Sequence, residues 1–227
     1  MKLRGMGPVQ GFWGLLTGHE QAVLSDLGRI TVFPPGATMC VEGDPATHVF
    51  VLVAGLVKIL SVTKDGHELV LALRGNGDIV GELAGETTGH RTATVQAVDT
   101  VHALIVRYDR FSSFLDSHPG AGRAYRHAVV QRWNDTATIL RNFSMTNGAQ
   151  RVAKLLLDLA VQYGSGENGA IDVPLTQEEL ASLAGTSRAT VARAFSNWRR
   201  RGFIRTGQRR ITITNPDGLK RIADKHT

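Results

Sequence analysis

Arg188, Arg193, Arg199, Arg200, Arg201, Arg205, Arg209 and Arg210 all fall in the last third of the chain. A guanidinium is a planar fork of N–H donors, able to meet a phosphate or the edge of a guanine with two bonds at once. Their placement decides which chemistry is available. In Leu175–Arg201, LTQEELASLAGTSRATVARAFSNWRRR, Val191, Ala194, Phe195 and Trp198 fall at i, i+3, i+4 and i+7. That spacing makes an apolar stripe for burial on one side of a helix. The opposite face carries Arg188, Ala189, Ala192, Arg193, Ser196 and Arg200. Small residues allow close approach to a duplex, and the arginines between them reach base edges. A surface helix with solvated arginines is the bland alternative. It is disfavoured because cap, turn and stripe agree.

Two short helices must position these side chains. The first is expected over Glu178–Ala184 behind an N-cap at Thr176, with Leu180, Leu183 and Ala184 as its apolar face. A turn at Gly185-Thr186 separates it from the second, which starts at Ser187. The candidate DNA contacts are Thr176, Gln177, Ser187, Arg188, Thr190, Arg193, Arg209 and Arg210. Hydroxyl and amide donors among them suit phosphate oxygens, whereas Arg188 and Arg193 suit bases.

Net charge supports a polyanionic partner at one end only. The chain has 26 Lys+Arg and 20 Asp+Glu; residues 149–227 hold 13 of the basic and 7 of the acidic ones. The remaining 13 and 13 cancel, so the whole excess of +6 lies in the last third. With 227 residues, 42% of them hydrophobic, the chain can build two modest cores. No apolar run is long enough to span a bilayer, and residues 1–10 are not followed by a signal-type apolar stretch. A cytoplasmic protein is expected. The single cysteine, Cys40, excludes an internal disulfide and reads as a packed small hydrophobe.

Upstream of the basic third, two kinds of pattern succeed one another. Thr17-Gly18-His19-Glu20 has the form of a capping box opening a short helix. From Ile30 to Val106 there follow short β-type runs: Ile30–Phe33, Thr38–Cys40, Val49–Val53, Leu56–Val62, Leu69–Leu73, Thr92–Val98 and Thr100–Val106. Asp65-Gly66 is a hairpin turn between two of them. After Asp116 the pattern is helical. Val129, Trp133, Thr136, Leu140 and Phe143 recur at intervals of 4, 3, 4 and 3, the rhythm of a helix pairing with a copy of itself. Packing on the sheet of its own subunit is the alternative for that stripe. Met145–Gln150 is expected to be a hinge, and Arg151–Tyr163 an amphipathic helix. The expected architecture is α+β. It comprises an antiparallel roll over residues 1–115, a dimerisation helix and hinge over 116–146, and a winged helix-turn-helix over 147–227.

These segments, in this order, resemble the Crp/Fnr superfamily of bacterial transcription regulators over nearly the whole chain. EGDPATHVFVLVAGLVKI (Glu42–Ile59) resembles the family's early sheet, and DIVGELAGETTGHRTATV (Asp78–Val95) its phosphate-binding cassette. TQEELASLAGTSRATVARAF is similar to its helix-turn-helix, and Gly202–Ile213 to its wing. The resemblance implies duplex DNA, a second copy of the chain and RNA polymerase as partners, and cAMP or another cyclic nucleotide as effector. The implied ligand contacts are Gly81, Glu82, Leu83, Arg91 and Thr92 from the cassette and Thr136 from the long helix. Main-chain N–H groups of Gly81-Glu82-Leu83 would face the phosphate, and Glu82 would accept from a sugar hydroxyl. Arg91 would give the charge-assisted bond, aided by Thr92.

Two departures bear on the ligand. Ala137 stands where adenine-binding members carry a second hydroxyl, and the cassette interior Ala84–His90 lacks the bulky apolar residues that pack its short helix. Glu86 adds a negative charge near an anion site. A ligand-independent DNA-binding regulator with a purely structural or protein-contact roll therefore stands beside the effector-controlled one. The eight histidines show no tight metal-ligand spacing, and neither a nucleophile–base motif nor a P-loop is present. No metal, no catalytic residue and no enzyme activity are expected.

Overall fold

In the computed structural model the described residues are 11–63, 65–66, 68–86, 89–163, 170–171, 175–207 and 210–224; in 86, 135–145, 162–163 and 170–171 only the backbone is described. The chain divides into two compact units, Met1–Asn134 and Asp135–Thr227.

The first unit opens with α1 (Gly11–Gly14) and α2 (Gly18–Asp26). Thr17 caps α2 through the expected capping box: its hydroxyl accepts from the Glu20 N–H while the Glu20 carboxylate accepts from the Thr17 N–H. Then come β1 (Gly28–Phe33), β2 (Thr38–Cys40), β3 (His48–Ala54), β4 (Val57–Val62), β5 (Glu68–Arg74) and β6 (Ile79–Val80). After the single turn α3 (Leu83–Glu86) follow β7 (Thr94–Ala97), β8 (Val101–Arg107), α4 (Tyr108–Ser117) and the 27-residue α5 (Pro119–Met145), which belongs to this unit as far as Asn134. The seven expected strands are present. α3 is the short cassette helix that the resemblance implies, whereas β6 and α4 were not foreseen: β6 is two residues long, and α4 follows β8 without an intervening breaker.

The strands form two antiparallel four-stranded sheets, ordered β1-β8-β3-β6 and β2-β7-β4-β5. β3 shows why its sequence is apolar throughout. Val49 and Val51 pack with α1, α2, α4 and α5, whereas Phe50 and Leu52 join residues of the facing sheet in a second cluster. A strand buried on both faces loses the usual polar alternation. α5 lies on the first cluster through Ala121, Ala124 and Tyr125.

The second unit contains α6 (Gly148–Tyr163), β9 (Ala170–Ile171), α7 (Gln177–Leu183), α8 (Arg188–Arg200), β10 (Ile204–Gly207), β11 (Arg210–Ile213) and α9 (Pro216–Ala223). β10, β11 and β9 make a small antiparallel sheet in that order. Val152, Leu156 and Leu159 of α6 are buried, as are Leu180, Val191, Phe195 and Trp198 of the two short helices. Within Met145–Gln150, expected to be a hinge, only Thr146 and Asn147 lie outside a helix. α5 runs through Met145, and Asn147 and Gln150 bond reciprocally, main-chain N–H to side-chain oxygen, at the start of α6. A helix therefore begins three residues earlier than its apolar pattern, because capping rather than periodicity sets the start.

Candidate functional sites: a buried anion pocket and an exposed basic helix

The pocket begins with a glycine that no other residue could replace. Gly81 has φ +79, and a Cβ there would come within 2.3 Å of Arg91 Nη1. The turn therefore closes directly over the guanidinium, which donates from Nη1 to the Gly81 carbonyl at 3.0 Å. Arg91 is only 3% exposed, and its guanidinium carbon lies over the Phe50 ring, 5.5 Å from the centroid. Its Nη2 is buried without a hydrogen-bond partner among the described residues. An unsatisfied buried donor is costly, and a charged one more so. An anion that accepted from Nη2 would remove that cost.

Glu82 is 1% exposed and forms an ion pair with Arg132 of α5. Arg132 also donates to the Ile79 carbonyl. Burial pushes the Glu82 carboxyl above its ordinary range, and the Arg132 charge opposes that push. Arg132 is a pocket residue that the sequence reading did not single out. It lies fifty residues from Glu82 in the chain, and nothing in the spacing of α5 distinguishes it from a solvated arginine. One Glu82 oxygen, expected to receive a sugar hydroxyl, already accepts from Arg132.

The remaining pocket candidates separate. Leu83 and Thr92 are exposed, although Thr92 directly follows Arg91. The Thr136 side chain, like those of Glu86, Ala137, Leu140 and Phe143, lies outside the described residues. The missing bulk in the cassette has a replacement from elsewhere. A Cβ on Gly85 would fall 1.8 Å from Tyr108 Cζ, so the tyrosine ring covers α3 at the point where a side chain is absent. Tyr108 also packs on the core beneath α4.

In α5, Val129 is half-buried against its own roll, while Trp133 is 75% and Val130 55% exposed. The outward apolar pair is thus Val130 and Trp133, with Val129 turned toward the sheet.

In the second unit, Thr176 caps α7 with a full capping box to Glu179, and Ser187 caps α8 through the Thr190 N–H at 3.2 Å. The α8 stripe Val191, Ala194, Phe195 and Trp198 is buried, leaving Arg188, Ala189, Ala192, Arg193, Ser196 and Arg200 exposed together. Thr176 and Ser187 are exposed beside their caps, and Gln177 and Thr190 are partly so. Arg193 Nη2 donates to Thr190 Oγ1 at 3.3 Å, a weak contact that leaves most of its fork outward. Arg210 is exposed on the wing; Arg209 lies outside the described residues. Cys40 is half-buried, and burial raises its thiol pKa, as suits a packed thiol. Among the described residues no cluster of His, Cys, Asp and Glu could hold a metal ion. None of the described helices is long and apolar enough to cross a membrane.

Comparison with known proteins gives matches at the level of whole domains. Residues 30–118 match the cyclic nucleotide-binding domain family and residues 150–222 the Crp-like helix-turn-helix domain family. A CRP-like cAMP-activated global transcriptional regulator of Mycobacterium tuberculosis is 34% identical over 215 residues, covering 92% of this chain and 96% of the relative. The cyclic AMP receptor protein of Thermus thermophilus is 28% identical, covering 93% and 95%. The structure of FixK2 from Bradyrhizobium japonicum shares the fold, with a TM-score of 0.76 at 18% identity over 88% of this chain and 99% of that one.

Proposed function

The chain belongs to the Crp/Fnr family of DNA-binding transcription regulators, and from that premise we propose that it acts as a homodimer whose grip on its operator is set by a cyclic nucleotide bound in the roll. The observation that carries the effector reading is Arg91. A buried guanidinium with one nitrogen unpartnered, under a glycine turn, fits a single small anion of the phosphate type. Gly81, Glu82, Leu83, Arg91, Thr92 and Thr136 are the proposed contacts, with Arg132 added as the residue that orients Glu82. The ligand can shift the regulator only by as much as it prefers the DNA-competent state.

DNA recognition rests on α8. Arg188 and Arg193 read base edges; Thr176, Gln177, Ser187 and Thr190 hold phosphates at the helix starts, and Arg209 and Arg210 do so from the wing. The exposed Val130–Trp133 pair supports α5 as the face where two copies meet, with Thr136, Leu140 and Phe143 continuing it. Regulation of transcription then acts on RNA polymerase, by contact or by exclusion, in the cytoplasm where the chromosome is.

The ligand-independent alternative gains support from the Arg132–Glu82 ion pair, which takes up one oxygen of the carboxylate that the effector reading gives to a sugar hydroxyl. Calorimetric titration of the full chain with cAMP and cGMP decides between the two. Binding with micromolar or tighter affinity supports effector control. No heat and no shift in melting temperature with either nucleotide rejects it and leaves the ligand-independent regulator.

A further inference from the structure

We infer that Arg151 is a positioning residue for DNA reading, which seats the helix-turn-helix on α6 through main-chain carbonyls and makes no phosphate contact. The inference rests on the reading of α8 as the recognition helix and adds what holds it in place. Arg151 lies in the first turn of α6 and is half-buried. Its Nε donates to the Ala184 carbonyl at 2.8 Å and its Nη2 to the Gly185 carbonyl at 2.9 Å. Its Nη1 donates to the Thr146 carbonyl, in the link before α6.

The first acceptor is the carbonyl of Ala184, the C-cap of α7, and the second that of Gly185 in the turn that follows. The last carbonyls of a helix have no intrahelical donor and carry partial negative charge, so a cation there satisfies both. The planar fork spans the two segments in a way that a single ammonium cannot. One side chain thereby ties the link before α6 to the turn that launches α8.

A second contact, independent of charge, seats the same pieces. A Cβ on Gly148 would come within 2.3 Å of Thr186 Oγ1 and 3.1 Å of Thr190 Cγ2. The start of α6 therefore lies directly on the α7–α8 turn and on the first turn of α8. Asn147 and Gln150 fix that start through their reciprocal bonds. Residues 146–151 and the α7–α8 turn form one joined piece. Arg151 counts toward the basic charge of the last third, but its fork faces main chain. Base-reading side chains need placement to within about 0.5 Å, which is what such a seat supplies.

The test compares Arg151→Lys, Arg151→Ala and Gly148→Ala with Arg210→Ala as the phosphate-contact control. A preferred duplex is first selected from a random-sequence pool with the unaltered protein; its absence would count against α8, not against Arg151. Fluorescence anisotropy then gives the affinity for that duplex and for a scrambled one across a salt series. Circular dichroism checks that each variant is folded. Both Arg151 variants should lose about ten-fold or more in affinity for the preferred duplex, the worth of one bidentate base contact. The scrambled duplex and the salt slope should not change, and lysine should be no better than alanine. A general loss of folded protein would instead weaken both duplexes alike. Arg210→Ala should weaken both duplexes and flatten the slope by about 0.9. Gly148→Ala, which alters no charge, should reproduce the loss of discrimination. Restoration by lysine, a flattened slope in Arg151→Ala, or normal discrimination in Gly148→Ala would overturn the inference.

Discussion

The arginines of the two units work in opposite surroundings. In the first unit, Arg91 is buried under a glycine turn and Arg132 of α5 is half-buried against Glu82. In the C-terminal unit Arg188, Arg193 and Arg210 stand on the surface. A buried cation suits one small, well-placed anion, whose charge it feels through little screening. Exposed cations suit a polyanion, where binding releases counterions and salt competes strongly. The same side chain thus gives a pocket at one end and a reading face at the other, and the surroundings decide which.

The largest effect is expected where one partner of a buried pair is deleted. Arg132→Ala leaves the Glu82 carboxylate buried and uncompensated, a loss of about 3–5 kcal/mol in the stability of the first unit by denaturant unfolding. The pH dependence has a definite sign. Burial already holds the Glu82 carboxyl above its ordinary range, so the folded chain binds that proton more tightly than the unfolded chain. Without Arg132 the variant should therefore gain stability as pH falls toward the ordinary carboxylate range, with its deficit largest at neutral pH and above. A deficit that grew on acidification would contradict the pairing.

Arg91→Ala comes next. If the effector phosphate takes the unpartnered Nη2, cyclic nucleotide affinity should drop by one to two decades, equivalent to about 1.5–3 kcal/mol for a hydrogen bond to a charged group. The unliganded fold should be little affected, because the deletion also removes an unsatisfied buried donor. Calorimetry and thermal melting on the same samples separate the two effects.

On the exposed side, Arg188→Ala and Arg193→Ala should each cost about 1–3 kcal/mol with the preferred operator and relax preference at one base pair. Repeating the operator selection with each variant identifies the base pair. Preference unchanged in both would remove α8 from its role.

Salt gives the smallest effect per residue and the sharpest contrast between the units. Operator affinity should fall with a log–log slope of about −0.9 for each phosphate neutralised, whereas cyclic nucleotide affinity at the buried site should move far less over the same range. Equal salt sensitivity at the two sites would mean that the pocket is open to solvent.

The DNA-reading face was legible in the sequence because everything that builds it is local. The caps at Thr176 and Ser187, the turn at Gly185-Thr186 and the α8 stripe all fall within 27 residues, and each has its own short-range rule. The pocket was legible only in its cassette. Gly81, Glu82 and Arg91 stand out within their own segment, but Arg132 reaches Glu82 and Tyr108 reaches Gly85 across the fold, from positions whose own neighbourhoods carry no signal. The absence of bulky residues in Ala84–His90 looked like degeneration of the site, when Gly85 is small because Tyr108 occupies the space. The start of α6 was misplaced for a related reason. Asn147-Gly148 is turn-like in isolation, yet Gly148 faces the Thr186 side chain, and the pair starts a helix.

The most direct measurement is operator affinity with and without cAMP, taken beside cAMP affinity with and without operator, on the full chain and a duplex selected from a random pool. The selected duplex should have two half-sites centred about 34 Å apart, one helical turn, as a symmetric dimer requires. The factor by which cAMP changes operator affinity should equal the factor by which operator changes cAMP affinity, since linkage is reciprocal. Operator affinity that stays the same at saturating cAMP, on a duplex that the protein does select, would contradict effector control through the roll.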